Sequence, residues 1–322
     1  MKKLISIGVV LALLCSGMTA FADGGPGNVQ HGGPGGGMRG GNGGVDKSAD
    51  SELQTMINEV APQFQLKTYE ENGETLQYYL YVPTDYDTGN SYPLIQFIPD
   101  SSVVGKEAEA VLTQGWGGLI WATEAEQTKH PAFVVVPVFT ETIVDDNHNH
   151  SSQIDLAMHM LENLTQEYSI DTNRIYTTGQ SMGGMTSFYL STAYPDVFAA
   201  YLFVGSQWDV NVLTGLEEES FFYIVSAGDP KASAGQAELL EKFDADGAVY
   251  SKAEWSAQAE NQDELVTAML AEGNSANFVT FAEGTTLAEG QSAMPGAGEH
   301  MTSFDYAYKI EAVRDWLFAQ TK

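Results

Sequence analysis

Residues 174–185 read RIYTTGQSMGGM, an apolar strand that leads through a glycine-rich turn into a predicted helix. The turn contains the pattern G-x-S-x-G, centred on Ser181. A serine in so tight a turn has a strained backbone, and side chains at positions 179 and 183 would collide with neighbouring elements, which glycine avoids. Such a turn lifts the serine hydroxyl into the cleft at the carboxyl edge of a sheet, where α/β proteins bind ligands. An ordinary glycine-rich turn with a helix-capping serine is the alternative.

Strands and helices alternate on both sides of this turn. The predicted strands are 63–68, 76–82, 94–98, 133–136 with a continuation to 139, 175–178, 200–204, 221–225 and 277–281. The predicted helices are 152–168, 182–194, 236–243, 261–272 and 303–318. Continuously apolar strands are typical of a mostly parallel sheet that helices cover on both faces. We therefore predict one α/β domain of about eight strands over residues 51–322.

A serine hydroxyl needs a base before it becomes a good nucleophile. His300 follows the loop 295–299 (PGAGE) between the last predicted strand and the last helix, so this histidine can reach back to Ser181; a solvated loop histidine is the alternative. The loop 145–150 (DDNHNH) has metal-ligand residue types but lacks a second ligand pair at helical spacing, so we expect a solvated loop and no metal site. His130, which precedes a proline, has a setting typical of a turn. His159, on a predicted helix between two methionines, has a setting typical of packing.

The third residue should orient the imidazole and stabilise its cation. Asp229 directly follows the strand 221–225, at the carboxyl end where such a residue is needed. Asp209, after the preceding strand, is the rival candidate for the acid. The alternative interpretation of Asp229 is that it is only a turn residue before a proline. The chain order Ser181, Asp229, His300 is the order found with this kind of serine turn.

These residues together make the sequence resemble an α/β-hydrolase. The resemblance lies in the lead NRIY at 173–176, the turn GQSMGG at 179–184, Gly228-Asp229 and the late His300, and it extends over roughly residues 76–318. Within that superfamily the chain is most similar to secreted esterases of the polyhydroxybutyrate-depolymerase and feruloyl-esterase type. Bacterial peptidases of the prolyl-oligopeptidase group share the pattern. The resemblance implies a Ser-His-Asp triad that works through an acyl-enzyme without a cofactor.

The resemblance also implies an oxyanion hole of two backbone N–H groups. Related esterases usually have His-Gly at the end of the third strand, whereas this chain has FIPDSS at 97–102. By position we expect the N–H groups of Met182 and Ser101 to be the two donors. Loss of one donor costs about 3 kcal/mol of transition-state stabilisation. Asp100 would place a negative side chain beside the developing anion unless it turns away.

The predicted substrate side of the site is open. Only residues 205–220 separate the two strands between which cap domains often insert, so we predict no large cap domain and a cleft that suits bulky or polymer-linked esters. Gln180 and Trp208 are the predicted substrate contacts, with core packing as the alternative for the tryptophan. Trp116 and Trp121 either border this cleft or pack in the core.

The N-terminus is typical of exported proteins. Lys2 and Lys3 precede an apolar run at 5–14, and AFA at 20–22 is a cleavage signal, so we predict a signal peptide over 1–22, cleaved after Ala22, and a secreted protein. Cleavage would remove Cys15, the only cysteine, and with it any disulfide; lipidation of that cysteine is the alternative. Residues 24–44 contain 12 glycines, which predicts a flexible linker over 23–50.

The composition narrows the function classes. The 322 residues include 14 Lys and Arg against 43 Asp and Glu, a net charge of −29. Such a chain repels phosphate backbones and anionic lipid surfaces, so we expect neither a nucleic-acid partner nor a membrane partner once the signal peptide is removed. The leading hypothesis is a serine esterase acting on small-molecule or polymer-linked esters. The alternatives are a serine peptidase and a binding module with weak catalysis on the same fold.

Overall fold

The computed structural model describes residues 45–295 and 297–322. The predicted signal peptide and most of the predicted linker lie outside these residues. The described strands are β1 (Gln65–Glu71), β2 (Glu74–Tyr81), β3 (Tyr92–Ile98), β4 (Phe133–Val138), β5 (Ile170–Gln180), β6 (Ala200–Val204), β7 (Phe221–Ser226), β8 (Ser251–Trp255) and β9 (Ala276–Phe281). The described α-helices are α1 (Ser51–Glu59), α2 (Ala110–Thr113), α3 (Glu124–Lys129), α4 (Gln153–Glu167), α5 (Met182–Ala193), α6 (Pro230–Asp246), α7 (Gln262–Leu270), α8 (His300–Lys309) and α9 (Glu311–Ala319).

In the described part of the chain, the nine strands form one sheet in the order β1-β2-β4-β3-β5-β6-β7-β9-β8. The pairs β1–β2 and β2–β4 are antiparallel, and every other pair is parallel. The predicted mostly parallel sheet is therefore confirmed, with β8 as a strand that the sequence analysis missed. The carboxyl ends of β3, β5 and β7 meet at one edge, where an open α/β sheet forms its crevice.

The sheet lies between two apolar layers. Along β3 the side chains alternate: Ile95 and Phe97 belong to the layer shared with α1, α8 and α9. Leu94 and Ile98 belong to the layer shared with α4, α5 and α6. All four side chains are almost completely buried, so the hydrophobic effect acts on both faces of the strand. This packing holds the strand ends that carry the site in a rigid frame.

The predicted last helix, 303–318, is two helices. Ile310 has an extended backbone (φ −71°, ψ 105°) and separates α8 from α9. The carbonyl of Tyr308 accepts a hydrogen bond from the Arg314 guanidinium, and the same guanidinium pairs with the buried Glu126 at 2.7 Å. The break contains neither proline nor glycine, and these Arg314 contacts with Tyr308 and Glu126 accompany it.

The loop at 205–220 contains one turn of 3₁₀ helix, Leu216–Glu218, between β6 and β7. Gln207, near the start of this loop, lines the same cleft as Ser181. Within residues 45–295 and 297–322, no helix combines the length and apolarity that crossing a bilayer requires.

Candidate active site

Ser181 sits at the sharp turn between β5 and α5. Its backbone has φ 52° and ψ −119°, a strained conformation for a residue other than glycine, and its N–H donates to the Val204 carbonyl at 3.0 Å. A Cβ at Gly179 would overlap the backbone of Gly183, and a Cβ at Gly183 would overlap the carbonyl oxygen of Ile98. The two glycines are therefore required by close backbone packing, as the pattern in the sequence predicts.

The structure brings Ser181, His300 and Asp229 into one chain of hydrogen bonds. His300 Nε2 lies 2.8 Å from Ser181 Oγ, and His300 Nδ1 lies 2.6 Å from Asp229 Oδ2. The other Asp229 oxygen, Oδ1, accepts the N–H groups of Lys231 and Ala232, both at 3.1 Å, at the start of α6. Asp229 is only 1% exposed, so its carboxylate is held rigidly and shielded from water. Each oxygen of this carboxylate has its own partner, which fixes the direction it presents to the imidazole.

A buried tyrosine contacts the helix turn that holds the acid. The Tyr223 hydroxyl donates to the carbonyls of Ser206 and Ala232, which ties the loop after β6 to the first turn of α6. Burial, followed by the nearby Asp229 carboxylate, raises the pKa of Tyr223 well above its usual value. The phenol therefore remains a neutral donor at all working pH values.

The two expected oxyanion donors border the same cleft as the serine. Met182 and Ser101 both line it. The first N–H groups of α5 have no partner within the helix, so the helix start offers donors and a positive dipole end there. Asp100 is 2% exposed and turns away from the cleft: its carboxylate accepts the Ser102 N–H at 2.7 Å and Gln180 Nε2 at 2.6 Å.

Two predicted substrate contacts take other positions. Gln180 is completely buried, and its amide nitrogen donates to Asp100, so its role is to hold the loop after β3. Trp208 is also buried, and its ring lies edge-on to His148 at 4.9 Å and to Tyr189 at 6.3 Å. Neither side chain lines the cleft, so the structure does not support these two substrate contacts.

The remaining aromatic and acidic candidates also have partners elsewhere. Trp121 is completely buried and donates to the Gly117 carbonyl at 2.8 Å, while Trp116 donates to Asp50 Oδ2 at 3.0 Å, so both pack in the core. Asp209, the rival acid, is hydrogen-bonded to Asn211. The two histidines that were expected to lie outside the site are also hydrogen-bonded elsewhere, His130 to Asp315 and His159 to Glu71. Within 45–295 and 297–322, no three His, Cys, Asp or Glu side chains are arranged to hold a metal ion.

The cleft above Ser181 has a volume of about 380 Å³. Met185 and Val144 form its apolar surface, and Asp146 accepts Lys231 Nζ at 2.7 Å and Gln207 Nε2 at 3.0 Å at its polar side. These residues come from loops and from the starts of α5 and α6, which share no local sequence pattern that would have predicted them together.

The cleft carries more carboxylates than cations. Asp145, Asp146 and Asp229 line it, against one lysine, Lys231. Hydrogen bonds from the side chain and backbone of Asn149, with a smaller contribution from Asn147, hold the pKa of Asp145 below its usual value.

Two partial sequence matches to known proteins were found. The sequence model of the prolyl oligopeptidase family matches residues 141–222, which contain Ser181 but neither Asp229 nor His300. Feruloyl esterase B from Talaromyces stipitatus is 26% identical over 144 residues, covering 42% of this chain and 37% of that protein.

Solved structures share the architecture. A thermostable esterase superposes with a TM-score of 0.65 at 22% identity, covering 82% of this chain and 64% of that one. The feruloyl esterase module from Clostridium thermocellum, solved with sinapinate, superposes with a TM-score of 0.50 at 14% identity, covering 80% and 89% of the two chains. The chain thus spans well under half of the curated relative and just under two thirds of the thermostable esterase. These likenesses show that it has the α/β-hydrolase fold, as predicted.

Proposed function

We propose that this chain, which has the α/β-hydrolase fold, is a serine hydrolase of carboxylic esters. The observation that carries the proposal is the unbroken contact from Asp229 through His300 to the Ser181 hydroxyl, at 2.6 Å and 2.8 Å, on the wall of a solvent-accessible cleft. A nucleophile, a base within hydrogen-bond reach and a group that orients the base are the three parts of nucleophilic catalysis by serine.

The proposed reaction has two halves. Ser181 Oγ attacks the ester carbonyl carbon while His300 Nε2 takes its proton, and the Met182 and Ser101 N–H groups stabilise the oxyanion. Collapse of the tetrahedral intermediate breaks the C–O bond, and His300 protonates the departing alcohol. Water, deprotonated by His300, then attacks the acyl-enzyme, and the acid leaves as Ser181 regains its proton. Asp229 holds the ring throughout, and no step uses a cofactor.

The substrate class is proposed from the cleft and from the relatives. Feruloyl esterase B matches part of the chain, which supports feruloyl esters as the first substrates to assay. An open, polar-rimmed cleft suits a bulky or polymer-linked ester, and the carboxylates on its wall favour an uncharged acyl group. We place the enzyme outside the cell on the basis of the signal-type residues 1–22, which lie outside the described part of the chain.

A fluorophosphonate probe tests the central step without knowledge of the substrate. We expect labelling at Ser181 alone, located by mass spectrometry, and none in Ser181→Ala. Failure of the folded protein to label would contradict the proposal and favour a binding module on the same fold. Hydrolysis rates for methyl ferulate, p-nitrophenyl acetate, an acetylated sugar and short peptides then define the bond that is cleaved.

A serine peptidase is the second candidate. The match of residues 141–222 to the prolyl oligopeptidase family favours it, and the same three side chains can cleave an amide. Cleavage of peptides with a higher kcat/KM than any of the esters above would replace the esterase proposal with this one.

A further inference from the structure

Glu299 is a buried carboxylate immediately before His300. It is 2% exposed, and its two oxygens accept hydrogen bonds from three donors. Oε2 accepts the Ser226 hydroxyl at 2.9 Å and the Thr286 hydroxyl at 2.6 Å, and Oε1 accepts the Gly284 N–H. A carboxylate removed from water in this way is costly unless its acceptors are satisfied, and here both oxygens have donors.

These three donors lie at or just after the ends of two strands. Ser226 is the last residue of β7, the strand that leads to Asp229. Gly284 and Thr286 follow the end of β9. Glu299 therefore connects both strand ends to the residue beside the base.

The backbone makes the same connection. The Glu299 N–H donates to the Gly228 carbonyl at 3.0 Å, and a Cβ on Gly228 would overlap the Glu299 carboxylate. A Cβ on Gly298 would overlap that same Gly228 carbonyl. The loop that carries the base thus lies directly against the residue that precedes the acid Asp229.

A second buried glutamate provides a contrast. Glu126 is also 2% exposed, but it pairs with the Arg314 guanidinium, with Nη2 at 2.7 Å. Among the described residues, no lysine or arginine pairs with Glu299, and all its donors are neutral. Neutral hydrogen-bond donors alone therefore hold the Glu299 side chain beside the two residues whose spacing the reaction requires.

We propose that Glu299 is a positioning residue that sets His300 at hydrogen-bond distance from both Ser181 and Asp229. The inference rests on the proposed function, because it gives Glu299 a role only through His300. Removing the carboxylate leaves Ser226 and Thr286 without their acceptor and frees the loop, so the imidazole loses its alignment with the Ser181 hydroxyl.

The test uses Glu299→Ala and Glu299→Gln in the full chain, with p-nitrophenyl acetate as substrate. An error of about 1 Å in a reacting group costs up to about 100-fold, so we expect Glu299→Ala to lower kcat roughly 10- to 100-fold with little change in KM. Glu299→Gln keeps one acceptor oxygen for the Gly284 N–H, and the two hydroxyls can turn to accept from its amide. We therefore expect it to recover most of the lost kcat. The matched control is Glu126→Gln, which we expect to lower stability and to leave kcat of the folded protein unchanged.

A spectroscopic signature separates position from stability. The ring N–H of His300 that faces Asp229 gives a downfield proton signal, identified by its absence in His300→Ala. We expect this signal to broaden or vanish in Glu299→Ala and to persist in Glu126→Gln. If Glu299→Ala does not fold, Thr286→Val, which removes one donor, should show a smaller loss in the same direction.

The two failures are distinguishable. Folded Glu299→Ala, or Thr286→Val in its place, with wild-type kcat and an unchanged downfield signal overturns the positioning role while the esterase proposal stands. A wild-type protein that neither labels nor hydrolyses esters overturns the proposed function. In that case the downfield signal alone decides: its loss in Glu299→Ala supports the positioning role, and its persistence overturns it.

Discussion

Asp100 and Asp229 have the same local setting but opposite roles. Each follows a parallel strand near the centre of the sheet, each is at most 2% exposed, and each accepts backbone N–H groups from the turn that comes next. The second oxygen of Asp229 meets His300, whereas that of Asp100 meets the Gln180 amide. A carboxylate at a strand end is therefore not a catalytic signal in itself, because what lies opposite its free oxygen decides the role.

The difference has a topological cause. β3 lies next to β5, so Asp100 faces the end of the strand that carries Gln180, and its charge is directed into the protein beside the serine turn. The loop before α8 lies across the end of β7, so Asp229 faces the imidazole. The following variants test this contrast.

The largest effect is expected for Asp229→Asn. An amide matches the carboxylate in shape but donates to the imidazole or leaves it in the wrong tautomer, and the corresponding change in a well-studied serine protease triad lowers kcat by about 10⁴-fold. We expect a loss of that order, measured with p-nitrophenyl acetate. A loss smaller than about tenfold, with the fold verified by circular dichroism, would mean that Asp229 does not orient His300.

Asp100→Ala should act on both stability and rate. It removes the acceptor of the Ser102 N–H and leaves the Gln180 amide with the Gln114 oxygen at 3.2 Å as its remaining acceptor, a loss of about 1–3 kcal/mol in all. The loop holding Ser101 then loosens, so we expect kcat to fall about tenfold, less than the full loss of an oxyanion donor.

Asp100→Asn provides the control for that variant. The asparagine keeps an acceptor oxygen for Ser102, so its stability and kcat should lie closer to the wild-type values. Urea unfolding and ester hydrolysis measure both quantities. A rate loss in Asp100→Asn as large as that in Asp100→Ala would indicate that the charge, which both variants remove, matters more than the hydrogen bond to Ser102.

A smaller effect is expected at Asp50, a third aspartate that caps a helix. Partial burial opposes the ionisation of Asp50 and would raise its pKa. Hydrogen bonds from the Leu53 N–H and the Trp116 indole, together with the Lys309 ammonium, outweigh this effect and hold the pKa of Asp50 below its usual value. A carboxyl group whose pKa is lower in the folded state than in the unfolded state stabilises the folded protein. This contribution is fully present above the unfolded-state pKa, near pH 4, and is lost as the pH falls through the folded-state pKa.

Asp50→Asn should therefore reduce stability at pH 6 by about 1 kcal/mol or less, given solvent screening, and have a smaller effect at pH 3. Urea unfolding of both proteins at the two pH values measures the difference. An equal loss at both values would assign the effect to the helix cap alone.

The smallest effect is expected at Asp209, the rival acid. Its carboxylate accepts the Asn211 N–H at 2.9 Å and the Asn211 side-chain amide at 2.8 Å, in a loop away from the imidazole. Asp209→Asn should leave kcat unchanged and shift the free energy of unfolding by about 0.5 kcal/mol at most. A rate loss comparable with that of Asp229→Asn would reverse the assignment of the two aspartates.

Much of the architecture follows from local pattern. The continuously apolar segments 200–204 and 277–281 are strands as predicted, with a boundary shift of one residue at most, because a strand buried on both faces has few alternatives. β8 was missed because Lys252 and Glu254 interrupt its apolar residues, a pattern that an edge strand tolerates and a sequence reading takes for a loop. The division of the last helix at Ile310 was also missed, since no local breaker marks it.

The sequence by itself determined the serine turn and the chain order of the three polar residues. Gly179, Gly183 and Ser181 act over a few bonds, so their steric requirement is readable without knowing the rest of the fold. Only the tertiary structure decided that Gln180 faces Asp100 and that Glu299 lies against the end of β7. These contacts join residues about 70 to 80 positions apart, and their geometry depends on how the whole sheet twists and packs, which no local pattern encodes.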